Sequence, residues 1–208
     1  MSEVQDSKAR AGGKTRLVWA GAGVIAMAAL LYAVVVLVIK PGGGGADVKS
    51  LAKGEMTKLV FVPTPSSLAT IVAQDQAGKP LDVTGLKDQV VVVNLWATWC
   101  APCVKEMPTL AKLQAEYAGK PVKVLAISLD KGDEDIAKAR AFMADKPPLT
   151  FYHGAYALAF SITPAAEGLP TTLIYDRTGH EQARLSGGAD WSTADAKAVV
   201  DSLLSRKS

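Results

Sequence analysis

The seven residues Val90-Val91-Val92-Val93-Asn94-Leu95-Trp96 constrain the fold more than any other stretch. They are nearly all apolar and mostly β-branched, with no alternation of apolar and polar. A strand of this kind has no wet face and belongs in the middle of a sheet covered on both sides. Immediately downstream lies Cys100-Ala101-Pro102-Cys103, which holds the only two cysteines of the 208 residues. Beyond it Val104, Met107, Leu110, Ala111, Gln114 and Tyr117 recur at helical spacing, which predicts a helix, with a kink at Pro108.

The same period runs on through the chain. Val122–Leu129 reads as a second buried strand, and Asp133–Ala144 as a helix whose acidic start suits the positive end of its dipole. A short strand is expected at Leu149–Tyr152 and a short helix at Ala155–Phe160. Thr171–Asp176 and Gln182–Ser186 read as strands joined by a turn, and about Ser192–Leu204 as a closing helix. Upstream, Ser67–Asp75 and Leu81–Val83 flank the turn signal Gln76-Ala77-Gly78-Lys79-Pro80, which predicts a hairpin. Strands alternating with helices predict an α/β three-layer sandwich around a central sheet. The cysteines then lie where a buried strand ends and a helix begins, the end at which open α/β sheets gather their sites.

Leu17–Ile39 is a run of 23 residues without a charge, apolar on every face. About 20 such residues cross a bilayer core, so one N-terminal transmembrane helix is expected. Lys8, Arg10, Lys14 and Arg16 precede it and only Lys40 follows closely, which places 1–16 in the cytoplasm and the rest outside. A cleaved signal peptide is the competing reading, but its apolar region is shorter, about 7–15 residues. Pro41 and four glycines open a flexible linker over 40–59, leaving 60–208 as the folded domain. The net charge of +3 resides entirely in residues 1–40; 41–208 carry 18 basic and 18 acidic residues. A domain of zero net charge lacks the basic footprint of a nucleic-acid binder.

Two cysteines separated by two residues at a helix start can bring their sulfurs within bonding reach. At the helix N-terminus the unpaired N–H groups and the dipole favour thiolate, the attacking species, at Cys100. Cys103, one turn on, faces inward and resolves the mixed disulfide. A structural zinc site needs four ligands, and His153 and His180 stand at no compact spacing from the pair; no metal and no cofactor is expected. A copper-binding module using both thiolates, or an oxidase that forms disulfides, stays open as an alternative.

The stretch Val93-Asn94-Leu95-Trp96-Ala97-Thr98-Trp99-Cys100-Ala101-Pro102-Cys103-Val104-Lys105-Glu106-Met107-Pro108 closely resembles the active-site block of TlpA/ResA-type proteins. Gly168-Leu169-Pro170-Thr171-Thr172 resembles their cis-proline loop, and Gly78-Lys79-Pro80-Leu81 matches upstream. The likeness spans about residues 65–205. It implies a thioredoxin-like fold with a mixed sheet, a cis Pro170, and a contact surface shaped by Trp99, Leu169 and Pro170. It also implies that Glu106, on the helix face of Cys103, takes a proton during resolution; a solvated helix glutamate is the plain alternative. Ordinary thioredoxins carry a buried Asp at the place of Asn94, so any proton-accepting duty falls on Glu106.

The resemblance further implies a monomeric, membrane-anchored periplasmic reductase. Its substrates would be disulfides of apocytochrome c or of copper-site proteins, and its electrons would come from a membrane thiol-reducing protein. Ala101-Pro102 adds no positive charge between the cysteines, which favours reduction over oxidation.

Overall fold

The computed structural model describes residues 48–62, 66–162 and 166–206, all within one compact unit, Gly45–Ser208. The expected cytoplasmic segment 1–16 and membrane helix 17–39 lie outside the described residues. Among the described residues no helix is long and apolar enough to cross a membrane.

In chain order the elements are α1 (Val48–Leu51), β1 (Val60–Phe61), β2 (Gln74–Asp75), β3 (Val90–Trp96), α2 (Ala101–Glu116), β4 (Val122–Ser128), α3 (Asp133–Ala144), β5 (Tyr152–His153), α4 (Leu158–Ser161), β6 (Thr171–Tyr175), β7 (Glu181–Ser186) and α5 (Ala194–Ser205). The strands form one sheet in the order β1-β7-β6-β3-β4-β5-β2. β3 and β4 pair in parallel, as do β4 and β5. The remaining pairs are antiparallel, so the sheet is mixed.

β3 is central, as its composition requires, and every residue in it is buried. Val90, Val92 and Trp96 pack beneath α2, α3 and α5, whereas Val91, Val93 and Leu95 meet Leu68, Ile71, Leu86 and α4. The two outer layers are unequal. One holds three long helices; the other is a thin cover of α4 and short 3-10 turns. Pro108 sits inside α2 without ending it.

Three expectations need correction. The hairpin closes at its turn, where Asp75 N–H donates to Lys79 O at 2.9 Å and Leu81 N–H to Ala73 O at 2.8 Å, but its first arm is shorter than Ser67–Asp75: a 3-10 turn at Leu68–Thr70 precedes the two residues of β2, which also pair with β5. The strand expected at Leu149–Tyr152 is Tyr152–His153, because Leu149 and Phe151 are drawn into the core instead. The linker also ends earlier than Leu59. Val48 and Met56 are buried in the core shared with α5, from α1 and a 3-10 turn at Gly54–Lys58. Burying a side chain such as Met56 contributes about 1.5–3 kcal/mol, enough to dock a short segment.

That docking needs Gly54. Its φ is +54°, and a Cβ there would stand 2.7 Å from Asp195 Oδ2. Gly54→Ala is therefore expected to cost about 1–2 kcal/mol, read as a lower urea midpoint. An unchanged midpoint would show that the segment before β1 adds nothing to the stability of the domain.

A buried ion pair closes the far side of the sheet. Arg184 Nε and Nη2 donate to Glu181 Oε1 and Oε2 at 2.6 and 2.7 Å, and Ser66 Oγ also donates to Glu181. The two-pronged geometry is what makes two buried charges tolerable.

Candidate active site

β3 delivers the chain to the site and α2 carries it away. After Trp96 a tight turn, with Cys100 N–H donating to Ala97 O at 3.1 Å, brings Cys100 to the N-cap of α2. Its carbonyl starts the helix by accepting from Val104 N–H at 3.1 Å. Pro102 falls in the first turn, where its missing N–H costs nothing. Cys100 and Cys103 form a disulfide, with Cα atoms 5.3 Å apart. Cys103 is fully buried and Cys100 keeps 6 % of its surface. Trp99, directly before the pair, is 61 % exposed.

The turn is pinned from the neighbouring strand. Asp130, just past β4 and 1 % exposed, accepts from Thr98 N–H at 3.1 Å and from Thr98 Oγ1 at 2.6 Å. Ser128 Oγ donates to the same carboxylate at 2.8 Å, and His153 Nε2 lies 3.0 Å from the Asp130 carbonyl. Nothing in the sequence marked Asp130. Its sole signal is an acid at the end of an apolar strand, where β4 runs beside β3.

Glu106 lies one turn beyond Cys103 and is buried, 3 % exposed, so it is not a solvated helix glutamate. Asn94 Nδ2 donates to its Oε1 at 2.8 Å. Ala189 N–H and Trp191 Nε1 donate to its Oε2 at 2.9 and 3.3 Å. Burial pushes the carboxyl above its ordinary value; the bonds from Ala189, Asn94 and Trp191 pull against that, and the charge of Glu55 adds to the rise. Asn94 also donates to Thr172 Oγ1 at 2.9 Å, because the two residues are register partners on β3 and β6. Its own Oδ1 is buried with no partner among the described residues.

The loop before α5 closes this side. Ala189 is held by Glu106, and Asp190 N–H donates to Glu55 Oε2 at 2.6 Å. Trp191 N–H donates to Thr109 Oγ1 at 3.0 Å. Glu55, Pro102, Glu106 and Asp190 border a hollow of about 450 Å³. The segment before β1 thus contributes a carboxylate beside the site, a role hidden in the sequence by the glycine run ahead of it.

The Leu169–Pro170 peptide is cis. Thr171 pairs with Leu95, so Pro170 stands at the end of the sheet where β3 runs toward Cys100. Leu169 is half-buried against both cores. His153 and His180 do not come together: His180 Nδ1 lies 2.9 Å from Thr178 Oγ1, in the turn between β6 and β7. No group of three or more His, Cys, Asp or Glu able to hold a metal occurs among the described residues.

Residues 53–202 match the Redoxin family. The thiol-disulfide oxidoreductase ResA of Bacillus thuringiensis subsp. konkukian is 28% identical over 159 residues, covering 76% of this chain and 88% of that protein. The thioredoxin-like protein YneN of Bacillus subtilis is 36% identical over 103 residues, half of this chain and 59% of that one. Among solved structures, a secreted thiol-disulfide isomerase from Corynebacterium glutamicum superposes with a TM-score of 0.57 at 21% identity, over 70% of this chain and 92% of that one.

Proposed function

The chain belongs to the Redoxin family and is a thioredoxin-like protein-disulfide oxidoreductase of the TlpA/ResA type, and from that premise we propose that it reduces disulfides in proteins of the cell envelope. The observation that carries this reading is the Cys100–Cys103 disulfide at a helix start, with buried Glu106 one turn beyond it.

In the reduced protein the Cys100 thiolate attacks one sulfur of a substrate disulfide. A mixed disulfide forms and the other substrate sulfur leaves as a thiolate. Cys103 loses its proton to Glu106 and attacks Cys100 Sγ, which expels the second substrate sulfur as a thiolate and leaves the Cys100–Cys103 disulfide. Two electrons pass from the protein to the substrate. Trp99, Leu169 and Pro170 border the place where the substrate chain lies. No cation stands between the two cysteines, and the Glu106 charge opposes thiolate formation, so the dithiol form is a donor.

Leu17–Ile39 anchors the protein in the inner membrane with the domain in the periplasm. A membrane thiol-reducing protein recharges it there, and tethering donor and acceptors to one surface raises their effective concentration. Disulfides of apocytochrome c or of copper-site proteins are the substrates.

The test is a Cys103→Ser trap in intact cells. It is expected to accumulate mixed disulfides through Cys100 with envelope proteins, visible as adducts that collapse under dithiothreitol. No adducts, or a wild-type pair found fully oxidised at steady state, would overturn the reductase reading.

A further inference from the structure

A second hollow, of about 300 Å³, opens on the other flank of the redox pair. Trp99, Leu129, Lys131, Asp135 and Tyr156 line it. We propose that it receives an apolar side chain of the substrate polypeptide, which makes Tyr156 a specificity-determining residue for disulfide exchange. The inference rests on Cys100 as the attacking sulfur.

The walls are fixed in place. Leu129 is fully buried, and its N–H donates to Trp96 O at 2.8 Å. Trp99 projects from the turn that Asp130 holds through Thr98. The Tyr156 ring meets Phe160 edge-on, with centroids 5.7 Å apart.

The charges at the rim are already engaged. Lys131 Nζ lies 4.1 Å over the Tyr156 ring, and Asp135 accepts from Lys138 at 3.0 Å. Trp99, Leu129 and Tyr156 give the hollow its aromatic and aliphatic surface, with Lys131 and Asp135 as its charged rim. At about 300 Å³ the hollow sits at the bottom of the range of small-molecule sites, a size that suits one side chain better than a cofactor.

The occupant follows from position. Trp99, directly before Cys100, remains 61 % exposed, and Phe160, which meets Tyr156, is 62 % exposed, so a polypeptide whose disulfide reaches Cys100 finds exposed aromatic surface beside it. The Pro102 flank holds no aromatic side chain: three carboxylates, Glu55, Glu106 and Asp190, and one cation, Lys105, stand around its hollow. The recess on the Trp99 side has two aromatic rings and Leu129, the one on the Pro102 side three carboxylates, so an apolar neighbour of the substrate cysteine is drawn to the Trp99 side.

The experiment uses the reduced full-length chain and synthetic peptides, each with one internal disulfide and Phe, Leu, Gly or Asp beside a cysteine. Bis(2-hydroxyethyl) disulfide, too small to reach the hollow, reports on the sulfurs alone. Wild type is expected to favour Phe or Leu peptides over Gly by about tenfold in kcat/KM. Tyr156→Asp and Tyr156→Ala are expected to cut that preference below about twofold while turning over the small disulfide at the wild-type rate. A flat wild-type profile, or a preference that survives in both variants, overturns the proposal alone. Failure of wild type to reduce the small disulfide overturns the assignment of Cys100 and the proposal with it.

Discussion

Cys100→Ser is expected to lower disulfide exchange by on the order of a thousandfold or more, with the fold intact. A serine hydroxyl stays protonated at neutral pH, and the helix start that favours a thiolate cannot make an alkoxide of it. Cys103 cannot take over the attack, because it is fully buried on the inner face of α2 while Cys100 retains 6 % of its surface. Stopped-flow reduction of a peptide disulfide measures the first step directly. Cys103→Ser should retain that step at a rate near wild type and fail only in release. Residual exchange above about a tenth of wild type in Cys100→Ser would move the attacking role to Cys103.

The largest effect on stability is expected at Glu106. Truncation to alanine orphans three donors: Asn94 Nδ2, Ala189 N–H and Trp191 Nε1. Each buried orphan costs about 1–3 kcal/mol, so Glu106→Ala should lose about 3 kcal/mol or more in urea denaturation. Glu106→Gln keeps an acceptor for Ala189 and Trp191, and the Asn94 amide can turn so that its unpartnered Oδ1 meets the new NH₂ group. This variant is expected to fold with far smaller loss.

The pair also separates on pH. The folded carboxyl is raised above 4.5 by burial, so native Glu106 keeps its proton where the unfolded chain has released it. The stability it lends is full below about 4.5 and falls as pH rises through the raised value. Glu106→Gln cannot titrate and should flatten that part of the stability profile. A profile parallel to wild type would remove Glu106 as the titrating group.

Much of this is legible in the amino-acid sequence. A continuous apolar run identifies a strand buried on both faces, and Val90–Trp96 is that strand. The cysteine spacing and the strand-to-helix setting placed the disulfide, and the helical repeat placed Glu106 on the face of Cys103. What escaped was short or non-local. β1, β2 and β5 have two residues each, too few for a period to show. Asp130 and Thr98 lie 32 residues apart, and Asn94 and Thr172 lie 78 apart. Only strand register brings such pairs together. Glu55 stayed hidden because Gly42–Gly45 made the whole lead-in look like a tether.

The two-residue flanks of the sheet bear on how such a protein handles its clients. A chain caught before its disulfides are settled is extended and rich in unpaired backbone, and it adds readily to any long open border. Here the end strands Val60–Phe61 and Gln74–Asp75 are too brief to template a lasting pairing, and where the two residues of β5 leave β4 uncovered, Gln114 Oε1 accepts from Val124 N–H at 2.7 Å and its Nε2 donates to Val122 O at 3.3 Å. An extended chain thus gains little by lingering at the margins. Stray strand addition has little foothold along either flank of the sheet.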